Sequence, residues 1–527
     1  MLISFVNPWL QATPVMEIQY PSLALTAALL LLPPLLFILI KGVAGSKPEG
    51  SKKLPPGPWK LPLIGNIHQL LGGLPHRVLR DLAIKHDRDL MLLRLGEINQ
   101  VIVSSAEAAG EIMKAHDLNF CSRPQLVAST VMLYNNTDIG FSPYGSYWRQ
   151  LRKICILELL SARRVKASFG IREEEISNMV KSISAASADH SAVINLSERI
   201  ASLTDAIISR TALGSKTNHG KRLMRVLKKL EKLASGFDLA DMYPSLGFMS
   251  ALTGISSQLK KSHGEGDEIL NQIIEEHLAK RKANGAVKEA EKLEEDLIDV
   301  LLSIQEKGDL ELPLTKTNIK AVILDMFNGG TSTTTTTLVW AMAELMRHPE
   351  VMKKVQSELR NILKDKETIE DEDLRSLHYM KLVIKETLRL HPPVPLLLPR
   401  VCNESCNVMG YYIPAGSRVL VNAWAIGRDP RYWEDEESFR PERFDGRSVD
   451  FAGGSFEYIP FGGGRRVCPG VTFGMVSVEL ALANLLFYFD WELPDAMRPE
   501  DLDMSEFFGI TVGRKSELWL IAKPQRM

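Results

Sequence analysis

The residues with the clearest chemical potential surround Cys468, one of five cysteines in the chain. Residues 461–470 read Phe-Gly-Gly-Gly-Arg-Arg-Val-Cys-Pro-Gly and lead directly into an apolar helical segment at 471–486. Successive glycines leave the backbone amides unobstructed, and a cysteine just before a helix start lies in the positive field of the helix dipole. Both features favour a thiolate, which is a metal ligand and a nucleophile. A buried structural cysteine after a glycine-rich turn is the alternative.

The other four cysteines lack such surroundings. Cys402 and Cys406 form a Cys-x-x-x-Cys pair, which has the wrong spacing for a Cys-x-x-Cys metal knuckle, and no nearby histidine completes a site. We interpret these two, with Cys121 and Cys155, as packing or surface residues. Scattered cysteines in odd number also exclude a disulfide framework and favour a reducing compartment.

The run around Cys468 fits the pattern Phe-x-x-Gly-x-Arg-x-Cys-x-Gly, with five specified positions in ten. This pattern resembles the haem-binding loop of the cytochrome P-450 family. The resemblance implies haem b as the cofactor, with the Cys468 thiolate as the axial ligand of its iron. It also brings Phe461, Arg466 and Gly470 to the cofactor. In that family the thiolate pushes electron density toward O–O cleavage.

Three further motifs occur in the order that the family shows. Glu386-Thr387-Leu388-Arg389 is, on its own, a common helical ion pair worth roughly 0.3 kcal/mol. Followed by Pro441-Glu442-Arg443-Phe444, it resembles the family's buried triad, which would consist of Glu386, Arg389 and Arg443. Trp148 and Arg152 lie four residues apart, and the resemblance directs both toward haem propionates. The same role is implied for Arg400 and Arg466.

A segment rich in hydroxyl groups is the candidate for oxygen chemistry. Residues 324–337 read LDMFNGGTSTTTTT, a poor helix by propensity, and a low-complexity loop is the alternative. Flanking apolar helical sequence favours a helix, which resembles the family's central helix. There Gly329 would open a groove for O₂, and Thr333 would guide proton delivery. Ser332 stands where Asp or Glu is usual, so we expect substrate groups or ordered water to complete the proton relay.

Leu, Val, Ile and Phe dominate the segments expected to form the substrate pocket, which are 121–138, 324–330, 394–398 and 507–511. No charged residue occurs in 394–398, which favours a neutral, lipophilic substrate. The residues expected at the pocket are Asn328, Gly329, Leu396 and Ile510. Asn135 and Asn136 are further candidates for one polar contact each, and local turn bonds are the alternative for all three asparagines.

The sequence from residue 63 to residue 527 predicts one large domain without a second linker or a repeat. Helical patterns dominate, as in the amphipathic segment 351–363 and the apolar segment 475–486. Strand signals are short, at 92–103 and 419–422. The class is therefore mostly α with minor β. The resemblance implies the cytochrome P-450 fold, a large helical part with a small sheet-rich region.

The first sixty residues predict the location of the protein. Residues 23–40 form an apolar run that spans about 27 Å as a helix, enough for a tilted transmembrane anchor. A cleaved signal peptide and a buried core helix are the alternatives, but no Lys or Arg precedes the run. Lysines follow it in a basic flank and proline-rich hinge at 41–62, which keeps the catalytic domain cytosolic. We expect a single-pass protein of the endoplasmic reticulum membrane, with residues 1–22 lumenal and Met16 as an alternative start.

Charge and motif content narrow the partners. A net charge of −1 excludes a nucleic-acid-binding protein, and no Gly-x-Gly-x-x-Gly fingerprint for flavin or dinucleotide occurs. The resemblance implies electrons from NADPH through NADPH-cytochrome P-450 reductase, with cytochrome b5 as an additional donor. Basic residues in 148–166 are expected to dock the reductase, and a solvated helix is the alternative.

Three hypotheses for the function follow. Pro-Pro-Gly-Pro at 55–58 and Leu-His-Pro-Pro at 390–393 resemble the plant A-type group, which implies a monooxygenase that acts on a lipophilic metabolite such as a terpenoid or alkaloid. The second hypothesis is a reductase-independent haem-thiolate isomerase or dehydratase, although such relatives usually lack the helix threonine and the anchor. The third is a non-catalytic membrane carrier of haem or ligand, which would need neither Thr333 nor an oxygen groove.

Overall fold

A computed structural model describes residues 52–187, 192–214, 218–234, 239–247, 254–284, 295–364, 366, 368–451, 453–507 and 509–525. The predicted membrane anchor at 23–40 and the lumenal extension before it lie outside the described residues. Within them, one helix is long and apolar enough to cross a membrane, Val471–Tyr488, and most of it is buried in the core of the domain.

Helices make up most of the described chain. They are α1 Pro75–His86, α2 Ala106–Gly110, α3 Asp117–Phe120, α4 Val127–Met132, α5 Ser146–Ile154, α6 Ala162–Ala167, α7 Phe169–Ala186, α8 Leu196–Leu213, α9 Asn218–Ala234, α10 Leu239–Met242, α11 Ile255–Asn284, α12 Leu297–Lys307, α13 Lys316–Gly330, α14 Ser332–Arg347, α15 Pro349–Ile362, α16 Asp373–Ser376, α17 His378–Leu390, α18 Ala423–Ile426 and α19 Val471–Tyr488. The predicted mostly helical class is confirmed.

Short strands gather into three small sheets. They are β1 Leu90–Leu95, β2 Ile98–Val103, β3 Val193–Asn195, β4 Arg400–Val401, β5 Cys406–Val408, β6 Tyr411–Ile413, β7 Arg418–Val421, β8 Phe489–Glu492 and β9 Trp519–Pro524. The sheet orders are β1-β2-β7-β4, β3-β9-β8 and β5-β6. The β2–β7 pair is parallel, and the other pairs are antiparallel.

The strand signal at 92–103 is a hairpin rather than one strand. Gly96 adopts a φ of +61°, which reverses the chain between two apolar runs and pairs Leu95 with Ile98. A Cβ at this position would lie 2.6 Å from the carbonyl oxygen of Met242, so the close approach also requires glycine. The signal at 419–422 corresponds to β7.

Two consecutive helices, α13 and α14, cross the core and carry the hydroxyl-rich segment. A capping box begins α13: the Thr315 hydroxyl accepts from the Asn318 N–H, and the Asn318 side chain accepts from the Thr315 N–H. α13 ends at Gly330 and α14 begins at Ser332, so the helical path breaks at Thr331. Buried α14 and α19 belong to the main hydrophobic core, which fixes the break relative to the Cys468 loop.

Candidate active site

Cys468 lies in a tight loop immediately before α19. Its backbone N–H donates to the carbonyl oxygen of Phe461 at 3.0 Å, which closes the loop. Gly464 has a φ of +66°, and a Cβ there would lie 2.2 Å from the carbonyl oxygen of Met113. The exposed side chain of Cys468 faces an interior cavity of about 1010 Å³, which Phe461, Arg466 and Gly470 also line. The structure thus brings together the predicted residues of this loop.

The electrostatics of Cys468 differ from the expectation based on the glycines and the helix start. Burial raises the pKa of its thiol, while the backbone N–H of Gly470 and the charge of Arg152 oppose the rise. Desolvation therefore outweighs the local dipoles, and the loop by itself does not favour the thiolate. Because coordination to a metal deprotonates a thiol, an iron ion at this position would supply the missing stabilisation.

Four arginines line the same cavity, namely Arg123, Arg152, Arg400 and Arg466. Burial lowers the pKa of Arg123, and the charges of Arg400 and Arg466 lower it further. Burial also lowers the pKa of Arg466 to about 10. In the described part of the chain, the one salt bridge to this cluster joins Asp117 and Arg400 at 3.4 Å. Such weakly compensated cations beside a cysteine fit the propionates and the iron of haem b.

Trp148 differs from its expected place at a propionate. Its indole N–H donates to the carbonyl oxygen of Ile139 at 3.0 Å, so the donor is already used. The guanidinium carbons of Arg466 and Arg152 lie 4.1 Å and 5.4 Å from the centroid of its ring. Arg152 lines the cavity and donates to the carbonyl oxygen of Val467 at 2.7 Å. Trp148 therefore supports two guanidinium groups by cation–π contact rather than facing the cofactor space.

Glu386, Arg389 and Arg443 meet in a fully buried cluster. Arg389 donates to both carboxylate oxygens of Glu386 at 2.8 Å, and Arg443 Nε donates to one of them at 2.8 Å. The remaining guanidinium donors bind backbone carbonyls, among them that of Ser438 from both arginines. The backbone N–H of Arg440 supplies one more bond to the carboxylate. The charges are therefore paired and hydrogen-bonded throughout, as a buried ionic cluster requires.

The break between α13 and α14 places hydroxyl groups at the cavity. The Thr333 hydroxyl donates to the carbonyl oxygen of Gly329 at 2.6 Å, and Ser332 lies beside it with its oxygen 3.5 Å from that of Thr511. Gly329 faces open space, whereas a Cβ at Gly330 would lie 2.4 Å from Ile208 Cδ1. One glycine thus leaves a groove, and the other permits close packing against α8.

The predicted substrate residues lie in two neighbouring cavities. Asn328, Gly329 and Ile510 line the main cavity, but Leu396 lines a smaller one of about 190 Å³. Leu397 has a φ of +51°, which turns the chain so that Leu396 packs away from Cys468. The expectation for Leu396 at the main pocket is therefore wrong.

Asn135 and Asn136 do not line either cavity in the described structure. The buried Asn136 side chain donates to Gln125 Oε1 and to Thr130 Oγ1, at 2.5 Å and 3.3 Å. Both asparagines have positive φ. Local turn bonding, the alternative considered above, is the correct interpretation.

Arg123 is one cavity residue that the sequence analysis missed. Its guanidinium donates to the carbonyl oxygens of Gly140, Leu398 and Pro399 at 2.8 Å to 2.9 Å, so it joins two walls of the cavity. The signal was a single arginine inside the apolar segment 121–138 that was assigned to the pocket.

Asp138 and Asp325 form a second missed feature, a buried pair of carboxyl groups. Asp325, on α13, accepts from the Ile139 N–H at 2.6 Å, and Asp138 accepts from the Phe141 N–H at 2.7 Å. The two carboxyls also hydrogen bond to each other. Burial raises the pKa of Asp138 to about 6 and that of Asp325 well above its usual value. The pair thus shares a proton and ties the loop at 138–141 to α13.

Comparison with known proteins agrees with this geometry. The sequence profile of the cytochrome P-450 family matches residues 55–520. Premnaspirodiene oxygenase of Hyoscyamus muticus is 50% identical over 477 residues, which cover 90% of this chain and 93% of that protein. Desmethyl-deoxy-podophyllotoxin synthase of Sinopodophyllum hexandrum is 51% identical over 504 residues, 95% and 97% of the two chains.

A zebrafish cytochrome P-450 in a structure with progesterone has a TM-score of 0.73 at 23% identity, which shows the shared fold. The alignment covers 86% of this chain and 100% of the zebrafish chain. The family uses haem with a cysteine axial ligand, and its members among the relatives include oxygenases. This chain therefore belongs to the cytochrome P-450 family and is a haem-thiolate monooxygenase that resembles the plant A-type members.

Proposed function

We propose that the chain oxidises a neutral, lipophilic plant specialised metabolite, such as a terpenoid or an alkaloid, while anchored in the endoplasmic reticulum membrane. The observation that carries the substrate class is the wall of the main cavity near α13, where Met326, Val394 and Leu397 provide apolar surface. Asn328 is a polar group there that can orient one oxygen or nitrogen of the substrate. The name premnaspirodiene oxygenase, given to a relative 50% identical, supports such a substrate.

The residues of this chain divide the work as follows. Cys468 would hold the iron, and the guanidinium groups of Arg152, Arg400 and Arg466 would hold the propionates. The haem, when bound, supplies the binding and reductive activation of O₂. Gly329 leaves space for O₂, and the Thr333 hydroxyl moves a proton at its Oγ1. The triad around Glu386 keeps the loop and its flanking helices in one arrangement.

We further infer a docking surface for the reductase on α5 and α6, narrower than the basic stretch suggests. Arg152 points into the cavity, and Arg164 binds the backbone carbonyl oxygen of Glu295 at 3.2 Å. The exposed cations of this surface are Arg149, Lys153, Arg163 and Lys166. They would steer an acidic flavoprotein, and cytochrome b5 as an additional donor, by long-range attraction.

Reversing Lys153 and Arg163 to Glu tests this surface. We expect reductase-supported turnover to slow several-fold at low salt, while turnover supported by added hydrogen peroxide remains unchanged. The matched control reverses Lys260 and Lys261, which are exposed on α11. Equal slowing of both reactions in the α5–α6 variant, or of the control, would contradict the docking role.

The proposed function is tested with microsomes that carry the full chain and the reductase. Premnaspirodiene, other terpenes and alkaloid precursors are supplied one at a time, and O₂ uptake, NADPH oxidation and products are measured together. We expect product to require NADPH and reductase for at least one neutral compound. Product that forms without NADPH would indicate an isomerase or dehydratase. Haem-loaded protein that binds no compound of the panel and consumes no NADPH would overturn the proposal.

A further inference from the structure

Glu231 is a cavity-lining carboxylate to which neither the sequence motifs nor the haem assign a role. It lies on α9, four residues after Leu227, whose side chain is buried, so both side chains point to the inner face of the helix. The Glu231 carboxylate meets the hydroxyl groups of Thr511 and Ser332. All three residues, and Thr333 next to Ser332, line the main cavity. A carboxyl group from α9 thus reaches the break between α13 and α14.

The stoichiometry of the reaction gives this contact its meaning. Insertion of one oxygen atom follows RH + O₂ + 2e⁻ + 2H⁺ → ROH + H₂O, so each turnover needs two protons inside the cavity. Thr333 and Ser332 carry hydroxyl groups, which pass protons but do not titrate near neutral pH. A group that holds a proton must therefore lie behind them. When protons arrive too slowly, reduced oxygen leaves as hydrogen peroxide instead of forming product and water.

Glu231 is the carboxylate that contacts these hydroxyl groups. Among described residues, the other carboxylates that line the cavity have different partners. Glu174 pairs with Arg210, Glu295 with Arg164, Asp296 with His277, and Asp325 with Asp138. Burial raises the pKa of Glu231, while the hydroxyls of Thr511 and Ser332 and the charge of Lys228 oppose the rise. Partial burial therefore favours the protonated acid and still allows water to reach it.

We propose that Glu231 is the proton-holding acid of this cavity and passes protons through the Ser332 hydroxyl toward Thr333. The carboxylic acid gives its proton to Ser332 Oγ, the serine hydroxyl gives its own proton onward, and the Glu231 carboxylate recovers a proton from solvent. A residue on α9 thereby supplies the acid that α14 lacks at position 332. The inference rests on the proposed oxygenase function and names the source of its protons.

The test replaces Glu231 with Gln, which keeps the size and hydrogen bonding of the side chain but cannot titrate. The full chain is assayed with reductase and the panel compound that wild type oxidises fastest. We expect the ratio of hydrogen peroxide to product to rise about tenfold, because positioned acids contribute effects of this size or larger. Wild-type coupling should fall as pH rises, and coupling in Glu231→Gln should be flat with pH. The reduced-CO spectrum should be unchanged.

Two further variants separate proton delivery from structure. Glu231→Gln combined with Ser332→Asp should restore coupling, since the acid is moved onto α14. Glu174→Gln, at an exposed glutamate on the rim of the same cavity that binds Arg210 at 2.8 Å, should keep the wild-type ratio. An unchanged peroxide ratio in Glu231→Gln would overturn the proposal, as would weaker substrate binding with unchanged coupling. Wild type that consumes no O₂ with NADPH would instead overturn the proposed function and this inference with it.

Discussion

The two sides of the main cavity are built on opposite principles. On the Cys468 side, charges are buried and saturated: the Glu386 carboxylate accepts three guanidinium bonds and one backbone bond. On the side of α13 and α14, the polar groups are hydroxyls and carboxyls with few partners, and Asp138 Oδ1 is buried without one. Saturation fixes one geometry, whereas spare hydrogen-bonding capacity allows protons and ligands to move. Rigidity and proton traffic are thus assigned to different walls.

Replacing Cys468 with Ser should have the largest effect, because it removes the one thiol that lines the cavity in the described chain. We expect loss of the reduced-CO absorption band typical of a thiolate-ligated haem, and NADPH-dependent O₂ uptake at background. The control is Cys406→Ser, at a partly exposed cysteine of β5, which should keep both signals. An intact band in Cys468→Ser would assign the thiolate to another residue.

Replacing Glu386 with Gln probes the saturated wall. Two buried guanidinium groups would lose their carboxylate, and breaking a buried ion pair in this way costs about 3–5 kcal/mol in the free energy of unfolding. Denaturant titration of the haem-loaded protein measures the loss. Glu434→Gln serves as the control because its carboxylate is exposed and pairs with Arg440 at 3.4 Å. A loss similar to that of the control would show that saturation does not stabilise this wall.

Replacing Thr333 with Ala probes the opposite wall and should change chemistry rather than stability. We expect the ratio of hydrogen peroxide to product to rise roughly fivefold, since one hydroxyl leaves the proton path. The unfolding midpoint should stay close to that of wild type. Thr335→Ala, whose hydroxyl bonds with that of Thr204 at 2.7 Å, should instead keep coupling. A large stability loss in Thr333→Ala with normal coupling would erase the distinction between the walls.

The Asp138–Asp325 pair gives the smallest effect, a pH dependence of stability. Burial raises the pKa of both carboxyls, so the folded protein binds their shared proton more tightly than the unfolded chain does. The free energy of unfolding should therefore be highest in acid and fall as pH rises through about 6, by at most about 1.4 kcal/mol per pH unit. The groups facing the pair are Arg123, Arg466, Tyr147 and Cys155.

Asp325→Asn should flatten this dependence. Its amide oxygen can still accept from the Ile139 N–H, and its amide N–H can donate to Asp138 without a shared proton. Urea titrations between about pH 5 and 8 compare the two proteins. Asp309→Asn, at an exposed carboxylate after α12, should follow wild type. Parallel curves for wild type and Asp325→Asn would show that the pair does not share a proton.

The same contrast explains what the sequence could predict. Cys468 and the triad residues occur in motifs with fixed spacing, because a metal ligand and a saturated cluster tolerate few arrangements. Arg123, Glu231 and the Asp138–Asp325 pair act singly or across long chain separations, and nothing local marks them. Leu396 and Asn136 were misplaced for a related reason. Their orientation depends on positive φ angles at 397 and 136 that composition does not reveal.

The close approach of Gly330 to Ile208 sets a limit on redesign of the enzyme. Since a Cβ would lie 2.4 Å from the Ile208 side chain, any methyl group added to α13 here must be matched by one removed from α8. The two positions therefore act as a volume exchange, in which Gly330→Ala becomes tolerable together with Ile208→Val. Cavity size can be altered more freely at residues 394–398, where no such exchange is required.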